Sequence, residues 1–575
     1  MSTEATTSTT ASPTDIGDRA ESAGSLVGDS GKIAVAAALS RITGLLRIVV
    51  AASILGATVL GDLFVAINVL PLTLYDVFAG SAISSVLVPP LVRLLQRGDE
   101  QAKRFVANAL GIICLTMTAL AIGAVLGRGF IAAALTAGVE EALRPEAGRV
   151  AGLLLLLIIP QLVLYAAIGV FVSVQHAHQR FLLPSAAPII ENLGLLLTIA
   201  VAWFSYGSGI EVGDAPTGLV LTLAIGSGLS VSAHAIVQFI GARRALGPLG
   251  MAIDWRNPEM LALAGPAKSS FGWSSTIAVR QFALVVAAGF AGAGGVQAFE
   301  IAMLAYFIPV ALIGRPIASA ALPRLAKSTA DVGTLLQGYR STLRLAAWIA
   351  VPAGLAMVVL SQPFAEIIGQ GRFSDSNAIT MLRYGLAGLG LGAMSEALFE
   401  ITRQTTMAQG DHRGLVRSTW IRAGAALVGI PAVVLLLHGP AVLLGLGVVV
   451  TIGDLTALAV AHRSLRADRS SSDSNRVNRS NHWPRIVVAS ALAITPAAIA
   501  GPVLGLTWSP FTAPLLLAAV GALFGASCWL LTDRGRLLKA LTADLNGVSN
   551  NGVSNDGDSD AAPNSSTTSL SESRP

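Results

Sequence analysis

Two arginines, Arg41 and Arg47, stand inside the apolar run Lys32-IAVAAALSRITGLLRIVVAASI-Leu55. On a helix rising ~1.5 Å per residue they lie roughly 14 and 22 Å beyond Lys32. A charge that deep in hydrocarbon costs on the order of 3 kcal/mol, and the side chain escapes the cost by facing a protein interior or a watery cavity. A guanidinium stays protonated and offers a planar fork of donors that suits phosphate oxygens. Two on one helix therefore point to a polar chamber that holds an anion; the alternative is a salt bridge to Asp62 that fixes the first helical hairpin. Asp62 opens the next apolar run, as a gating or pairing charge or as a charge favoured at a helix N-terminus. Arg280 and Arg315 are further deep charges in the second half, read as cavity arginines; Arg315, between Gly314 and Pro316, has snorkelling to the membrane surface as its alternative.

Other intramembrane polar residues, namely Asp76, Glu191, Asn192, Glu300 and Arg403, read first as hydrogen-bond partners between packed helices. His176 and His178 in Gln175-HAHQR read as an interfacial helix end rather than metal ligands. Pro71 and Pro309, mid-run in each half, read as hinges. Cys114 and Cys528 both fall in apolar runs and give neither a disulfide framework nor a metal site. With no nucleophile–base order, Cys/His cluster or phosphate loop, the sequence reads as neither an enzyme nor a metalloprotein, and no cofactor is expected.

The elements that carry these residues follow from composition. The chain has 575 residues, 53% hydrophobic and 12% charged, about half the charge of a soluble protein. Apolar runs of at least ~18 residues recur along its length, which makes it an all-α polytopic membrane protein. Fourteen spans are read, at about 32–55, 61–92, 104–127, 149–174, 184–204, 216–242, 262–292, 296–325, 341–364, 378–408, 416–438, 440–462, 485–505 and 511–532. Basic residues gather after even-numbered spans, as in Arg93, Arg97, Lys103 and Arg104, Arg243 and Arg244, or Arg463 and Arg466. The positive-inside rule then puts both termini in the cytoplasm. The segment near 128–149, with Arg128, Arg144, Arg149 and three glutamates, breaks that pattern and reads as surface-lying. Ser/Thr-rich residues 1–31 and 533–575 read as disordered cytoplasmic tails, and 464–484 as a cytoplasmic linker.

The two halves are related. Gly80-SAISSVLVPPL and Gly314-RPIASAALPRL match at one offset through Gly80/Gly314, Ile83/Ile317, Ser85/Ser319 and Pro89/Pro323. Six spans repeated in parallel give an N-lobe over 32–245 and a C-lobe over 262–463, related by a pseudo-two-fold, with an extra pair of helices over 485–532.

The order of several short motifs resembles the MurJ/MviN family of the MATE-like multidrug/oligosaccharidyl-lipid/polysaccharide exporter superfamily. They are Ser40-Arg41-x-x-Gly44-x-x-Arg47 followed by Asp62, Phe64, Pro71 and Phe78-Ala79; Arg180-Phe181-x-x-Pro184-x-x-Ala187-Pro188-x-x-x-Asn192; Leu322-Pro323-x-Leu325-x-Lys327-Ser328; Gly371-Arg372-Phe373; and, more weakly, Asp411-His412-Arg413. The resemblance spans about 30–535. It departs at Tyr75, where the family has arginine, at Gly80, where it has an acid, and at Met303 and Leu304, where it has Asp-Arg.

The resemblance implies a flippase for a polyprenyl-pyrophosphate-linked cell-envelope precursor, lipid II of peptidoglycan synthesis, in the bacterial cytoplasmic membrane. It implies alternating access, with Arg41, Arg47, Asp62, Arg280 and Arg315 as substrate-binding candidates and Ser40, Gly44, Pro71 and Pro309 as gating or hinge residues. Partners are then the lipid-linked oligosaccharide, membrane lipids and cell-wall synthesis proteins, not nucleic acid; a coupling cation is unassigned. The alternatives are an ion-coupled exporter of drugs or metabolites and a flippase for another lipid-linked glycan.

Overall fold

The computed structural model describes residues 13–78, 80–314, 332–408 and 412–467, and among them no strand occurs. The expected spans over 485–532, the linker 464–484 beyond Ala467, the tail 533–575, Arg315 and the motifs at 322–328 and at Asp411 lie outside the described residues.

The N-lobe comprises α1 (Pro13–Leu55), α2 (Val59–Phe78), α3 (Gly80–Leu95), α4 (Asp99–Leu126), α5 (Arg128–Leu135), α6 (Arg144–Ile158), α7 (Gln161–Ala177), α8 (Leu182–Ala186), α9 (Pro188–Tyr206) and α10 (Thr217–Leu246). The C-lobe comprises α11 (Pro258–Ala288), α12 (Gly295–Pro309), α13 (Val332–Val359), α14 (Ser361–Ile368), α15 (Ser376–Ala408), α16 (His412–Leu436) and α17 (Ala441–Ala467). Among the described residues nine helical stretches are long and apolar enough to cross a membrane, with two shorter apolar helices, Val59–Tyr75 and Gly295–Pro309. The helix α15, which carries Glu396, Glu400 and Arg403, stands at the tenth expected span.

Three expectations change. The helix α1 starts at Pro13, so the backbone of 13–31, expected as an unstructured tail, is helical; once a span has nucleated, each further residue adds a hydrogen bond. The fourth span is two helices divided at Ile159-Pro160, where proline has no N–H to give and crowds the preceding turn. The segment near 128–149 begins with the short helix α5, whose Ala132 and Leu135 are buried.

Local chemistry sets the connections. Asn257 caps α11, its side-chain oxygen accepting from Glu259 N and Met260 N at 3.0 and 3.2 Å, with Pro258 at the first helical position. The crossing between lobes lies along α4, where Ala252 N donates to Ala107 O at 3.0 Å and Asp254 N to the Asn108 side chain at 3.1 Å. A Cβ on Gly111 would come 1.9 Å from the Ala252 oxygen, so that position needs glycine. In the C-lobe, α15 runs between α13, α12 and α17. It meets α17 backbone to backbone, a Cβ on Gly447 falling 2.4 Å from the Gly388 carbonyl carbon. Small residues allow such contact where no water drives helices together.

The lobes face each other through α11 against α2 and α3, and α12 against α2 and α1. After Pro309 the α-helical ladder gives way to a π turn over Val310–Gly314. A proline followed by a π turn is a recognised place for a helix to bend.

Candidate functional site

Asp62 belongs to a seal between the lobes at one end of the molecule. Thr58 starts α2 with its hydroxyl accepting from Gly61 N at 3.1 Å, and this sets Asp62 one turn into the helix, 7% exposed. Its two oxygens accept from Gly294 N at 2.8 Å and Gln297 N at 2.9 Å. Those N–H groups lie at the start of α12 in the other lobe, the positive end of a helix. The Gln297 side chain donates back to Gly56 O at 2.7 Å. Gly61 makes room for it, since a Cβ there would lie 2.5 Å from the Gln297 nitrogen. Gly294 has φ +88°, a left-handed turn suited to glycine.

The same end gathers two more loops. Gly209 N donates to Ile54 O at 2.9 Å, and Arg372 Nε to Ser208 Oγ at 3.3 Å. Gly371, at φ +61°, lies against Ser53, whose oxygen would be 2.7 Å from an added Cβ. A cavity of about 330 Å³ lies in this seam, lined by Asp62, Val59, Glu140, Gly289 and Val296 among others. We call this the capped end. Asp62 is thus neither an exposed helix-end charge nor, among the described residues, the partner of an arginine; it fastens one lobe to a helix of the other.

Arg47 lies deeper in the seam and is partly buried. Its charge acts on Glu191 of α9 in its own lobe and on Glu300 of α12 in the other. Glu300 also accepts from Gln281 at 3.4 Å. Arg41, nearly two turns away, is exposed, on a stretch of α1 whose Val35, Leu39, Ile42 and Leu46 are also exposed. That stretch is tied to the N-lobe by Asn192, which donates to Ser40 O and Thr43 Oγ1, both at 3.1 Å. Gly44 faces the same amide, 3.5 Å from an added Cβ. The motif residues Ser40, Gly44 and Asn192 therefore form one contact that positions the two arginines. Pro71 lies buried within α2.

Arg280 is placed apart from that pair. Its Nη1 is 3.5 Å from Asp454 Oδ1 of α17 inside the C-lobe. Arg422 of α16 lies 2.6 Å from the same oxygen and 2.7 Å from Glu396 of α15, and its guanidinium stands 5.2 Å over the Phe399 ring. The Tyr306 hydroxyl of α12 donates to the other Asp454 oxygen. Two arginines and two carboxylates from four helices thus balance one another, with Tyr306 joining them from a fifth. Sequence reading missed Glu396, Arg422 and Asp454. The signal for them was present: acids and bases both stand inside neighbouring apolar runs, where an unpaired charge is costly.

In the N-lobe, Glu191 accepts from Tyr165 Oη at 2.8 Å and pairs with His234 Nδ1 at 2.8 Å. Nearby, Ser227 joins Asn68 at 2.5 Å and Gln161 at 3.1 Å. These contacts do not form a nucleophile held by a base; they are hydrogen bonds between packed helices of the N-lobe.

A sequence profile described as lipid II flippase MurJ matches residues 51–518. A probable lipid II flippase MurJ of Vibrio cholerae is 26% identical over 400 residues, 66% of this chain and 72% of the relative. The lipid II flippase MurJ of Burkholderia cenocepacia is 25% identical over 393 residues, 65% of this chain and 71% of the relative. Among solved structures, lipid II flippase MurJ in an inward closed conformation aligns with TM-score 0.70 at 16% identity, covering 88% of this chain and 99% of that one. An inward-facing multidrug resistance MATE family transporter aligns with TM-score 0.59 at 14% identity, covering 75% of this chain and 96% of that one. At such identities the structural likenesses concern the fold.

Proposed function

The chain belongs to the lipid II flippase MurJ family, and from that premise we propose that it carries lipid II from the inner to the outer leaflet of a bacterial cytoplasmic membrane by alternating access. The observation that carries this reading is the position of Arg47, in the seam between lobes, under the influence of a carboxylate from each. A diphosphate entering the seam would compete for that guanidinium and gain its planar pair of donors. Arg41, exposed on the same helix, would meet the headgroup first.

The capped end is the outer end in this reading, and both termini are cytoplasmic; the basic residues after even-numbered spans support that orientation. The lobes then part at Asp62 and Gln297 while α12 bends at Pro309. The prenyl tail stays in the bilayer, beside the helices expected over 485–532. Membrane lipids and cell-wall synthesis proteins are its surroundings, and its role is transport.

The test is the outer-leaflet accessibility of lipid II in cells depleted of this protein. Exposure should fall, and recover with the wild type but not with Arg41→Ala/Arg47→Ala. Unchanged exposure on depletion would overturn lipid II as the cargo, and full rescue by the double variant would overturn the role of the arginines.

A further inference from the structure

The Glu191–His234 pair belongs neither to the seal at the capped end nor to the C-lobe charge cluster. Glu191 sits in the first turn of α9 and His234 midway along α10, their side chains 12% and 8% exposed. Imidazole Nδ1 meets one carboxylate oxygen at 2.8 Å, and the Tyr165 hydroxyl donates to the other at 2.8 Å. On the far side of the ring, Gln238 Nε2 stands 3.4 Å from His234 Nε2. The Gln238 amide is oriented by Gln175, which donates to its oxygen at 2.7 Å. An amide nitrogen only donates, so His234 Nε2 presents a lone pair and Nδ1 carries the proton that points at Glu191. One further proton therefore has a place in this assembly, on the carboxylate or on Nε2 once the Gln238 amide turns.

Few ionisable groups surround the pair. From α1 comes Arg47, whose charge acts on Glu191; beyond it stands Glu300 of α12, which the same arginine reaches. From α7 comes Tyr165, its ring 6.4 Å from that of Tyr75 in α2. The short helix α8 brings no ionisable side chain. On α6, Arg144, Glu146 and Arg149 are confined to the first two turns, and the last two pair with each other. Arg243 and Arg244 lie in the last turn of α10, more than two turns from His234.

We propose that Glu191 and His234 form a proton-binding site linked to the anion site on Arg47. With the carboxylate charged and the imidazole neutral, the pair carries one negative charge, which attracts the guanidinium. A bound proton cancels that charge and frees Arg47 for an arriving anion. Linkage makes the effect mutual: anion and proton each favour the other by the same factor. The proton comes from water in the seam as the anion binds and returns there when it leaves. The identity of that anion as a lipid diphosphate rests on the reading above; the proton site does not.

The test uses the full-length protein in nanodiscs. Difference infrared spectra between about pH 5 and 9, a window that brackets imidazole titration, should show a carboxyl or imidazole band that titrates in the wild type. Glu191→Gln and His234→Asn should each lose it. In weak buffer with an indicator dye, lipid II, whose diphosphate diester does not titrate near neutrality, should draw up to about one proton per lipid bound. Sulfate serves as a second anion without a lipid tail. Both variants should bind anion without taking up a proton. No titrating band in the wild type, or a band that persists in both variants, overturns the proposal, as does anion binding with no proton uptake. If sulfate binds with uptake and lipid II does not bind, the lipid II reading fails and the proton site stands.

Discussion

Asp62→Ala removes the acceptor from two buried N–H groups at the start of α12. The bonds measure 2.8 and 2.9 Å, and the residue is 7% exposed. A hydrogen bond to a charged group contributes roughly 1.5–3 kcal/mol, and a buried donor left unpaired costs roughly 1–3 kcal/mol. The favourable interaction of a carboxylate with a helix N-terminus, up to about 2 kcal/mol, comes from the same N–H groups and is not added again. Taken at the lower part of that range, the two bonds put the loss to the capped arrangement at about 3–4 kcal/mol. At ~1.4 kcal/mol per decade, its equilibrium with an open arrangement shifts by roughly 10²–10³. Asp62→Asn keeps one acceptor oxygen and should lose about half as much.

Val296 reports on this, because it is 5% exposed and lines the cavity beside Asp62. In a background with Cys114 and Cys528 replaced by serine, a Val296→Cys variant would be treated with a membrane-impermeant maleimide. Labelling follows the open fraction when opening is fast relative to modification. Asp62→Ala should raise the labelling rate by about two orders of magnitude, and Asp62→Asn by about one. Equal rates in all three backgrounds would show that Asp62 does not hold the lobes together, and would refute the reasoning.

Asp454→Asn leaves Arg280 and Arg422 with Glu396 as their remaining carboxylate in the C-lobe cluster; breaking a buried pair costs about 3–5 kcal/mol. The melting temperature in detergent should fall by several degrees, and Arg422→Met added to it should recover part of the loss. Gly447→Val drives side-chain carbon into the Gly388 backbone, where even a Cβ would lie 2.4 Å away. It should lower the melting temperature as an overpacked core does, by about 1–3 kcal/mol or more. Glu300→Gln removes one of the two carboxylates that act on Arg47. With a neighbouring charge worth about 1–2 kcal/mol at an effective dielectric near 20, lipid II should bind roughly tenfold tighter in a tryptophan-fluorescence titration; weaker binding would sink the competition between Glu300 and cargo.

Much of the fold was legible because a bilayer imposes length and hydropathy on every span. The arginine pair was legible for the same reason: a charge in an apolar run is conspicuous. The Pro160 break was written in the sequence as well, yet the run of leucines around it reads as one span. What stayed hidden was pairing at long range. Asp62 meets Gly294 and Gln297 more than 200 residues away, through backbone N–H groups that no side-chain pattern marks. Arg280 looked free because its partner Asp454 sits alone in Val448-VVTIGDLTALAVA, and only the bundle brings them within 3.5 Å. Asn192 reads from sequence as a hydrogen-bond partner between packed helices, and its amide does donate to the carbonyl of Ser40; what the sequence leaves open is that partner, through which a motif split between two spans acts as one contact.

The strength of the seal bears on how cargo could open it. Reversing a two-state population from 99:1 to 1:99 takes about 5.5 kcal/mol of differential binding. Asp62 accounts for about 3–4 kcal/mol of the capped state. The Gln297–Gly56 hydrogen bond adds about 0.5–1.5 kcal/mol. The seal is thus of the size that one bound headgroup can offset: a diphosphate making two charge-assisted bonds in the open arrangement alone would gain roughly 3–6 kcal/mol. It follows that Arg47 should bind anion better when the lobes have begun to part than when the charges of Glu191 and Glu300 both act on it. A carrier with more arginines in the seam would bind more tightly on both sides and discriminate less between its states. On that ground, Tyr75 and Leu304 in place of arginines need not weaken transport, provided that the carboxylates around Arg47 release it only as the cap opens.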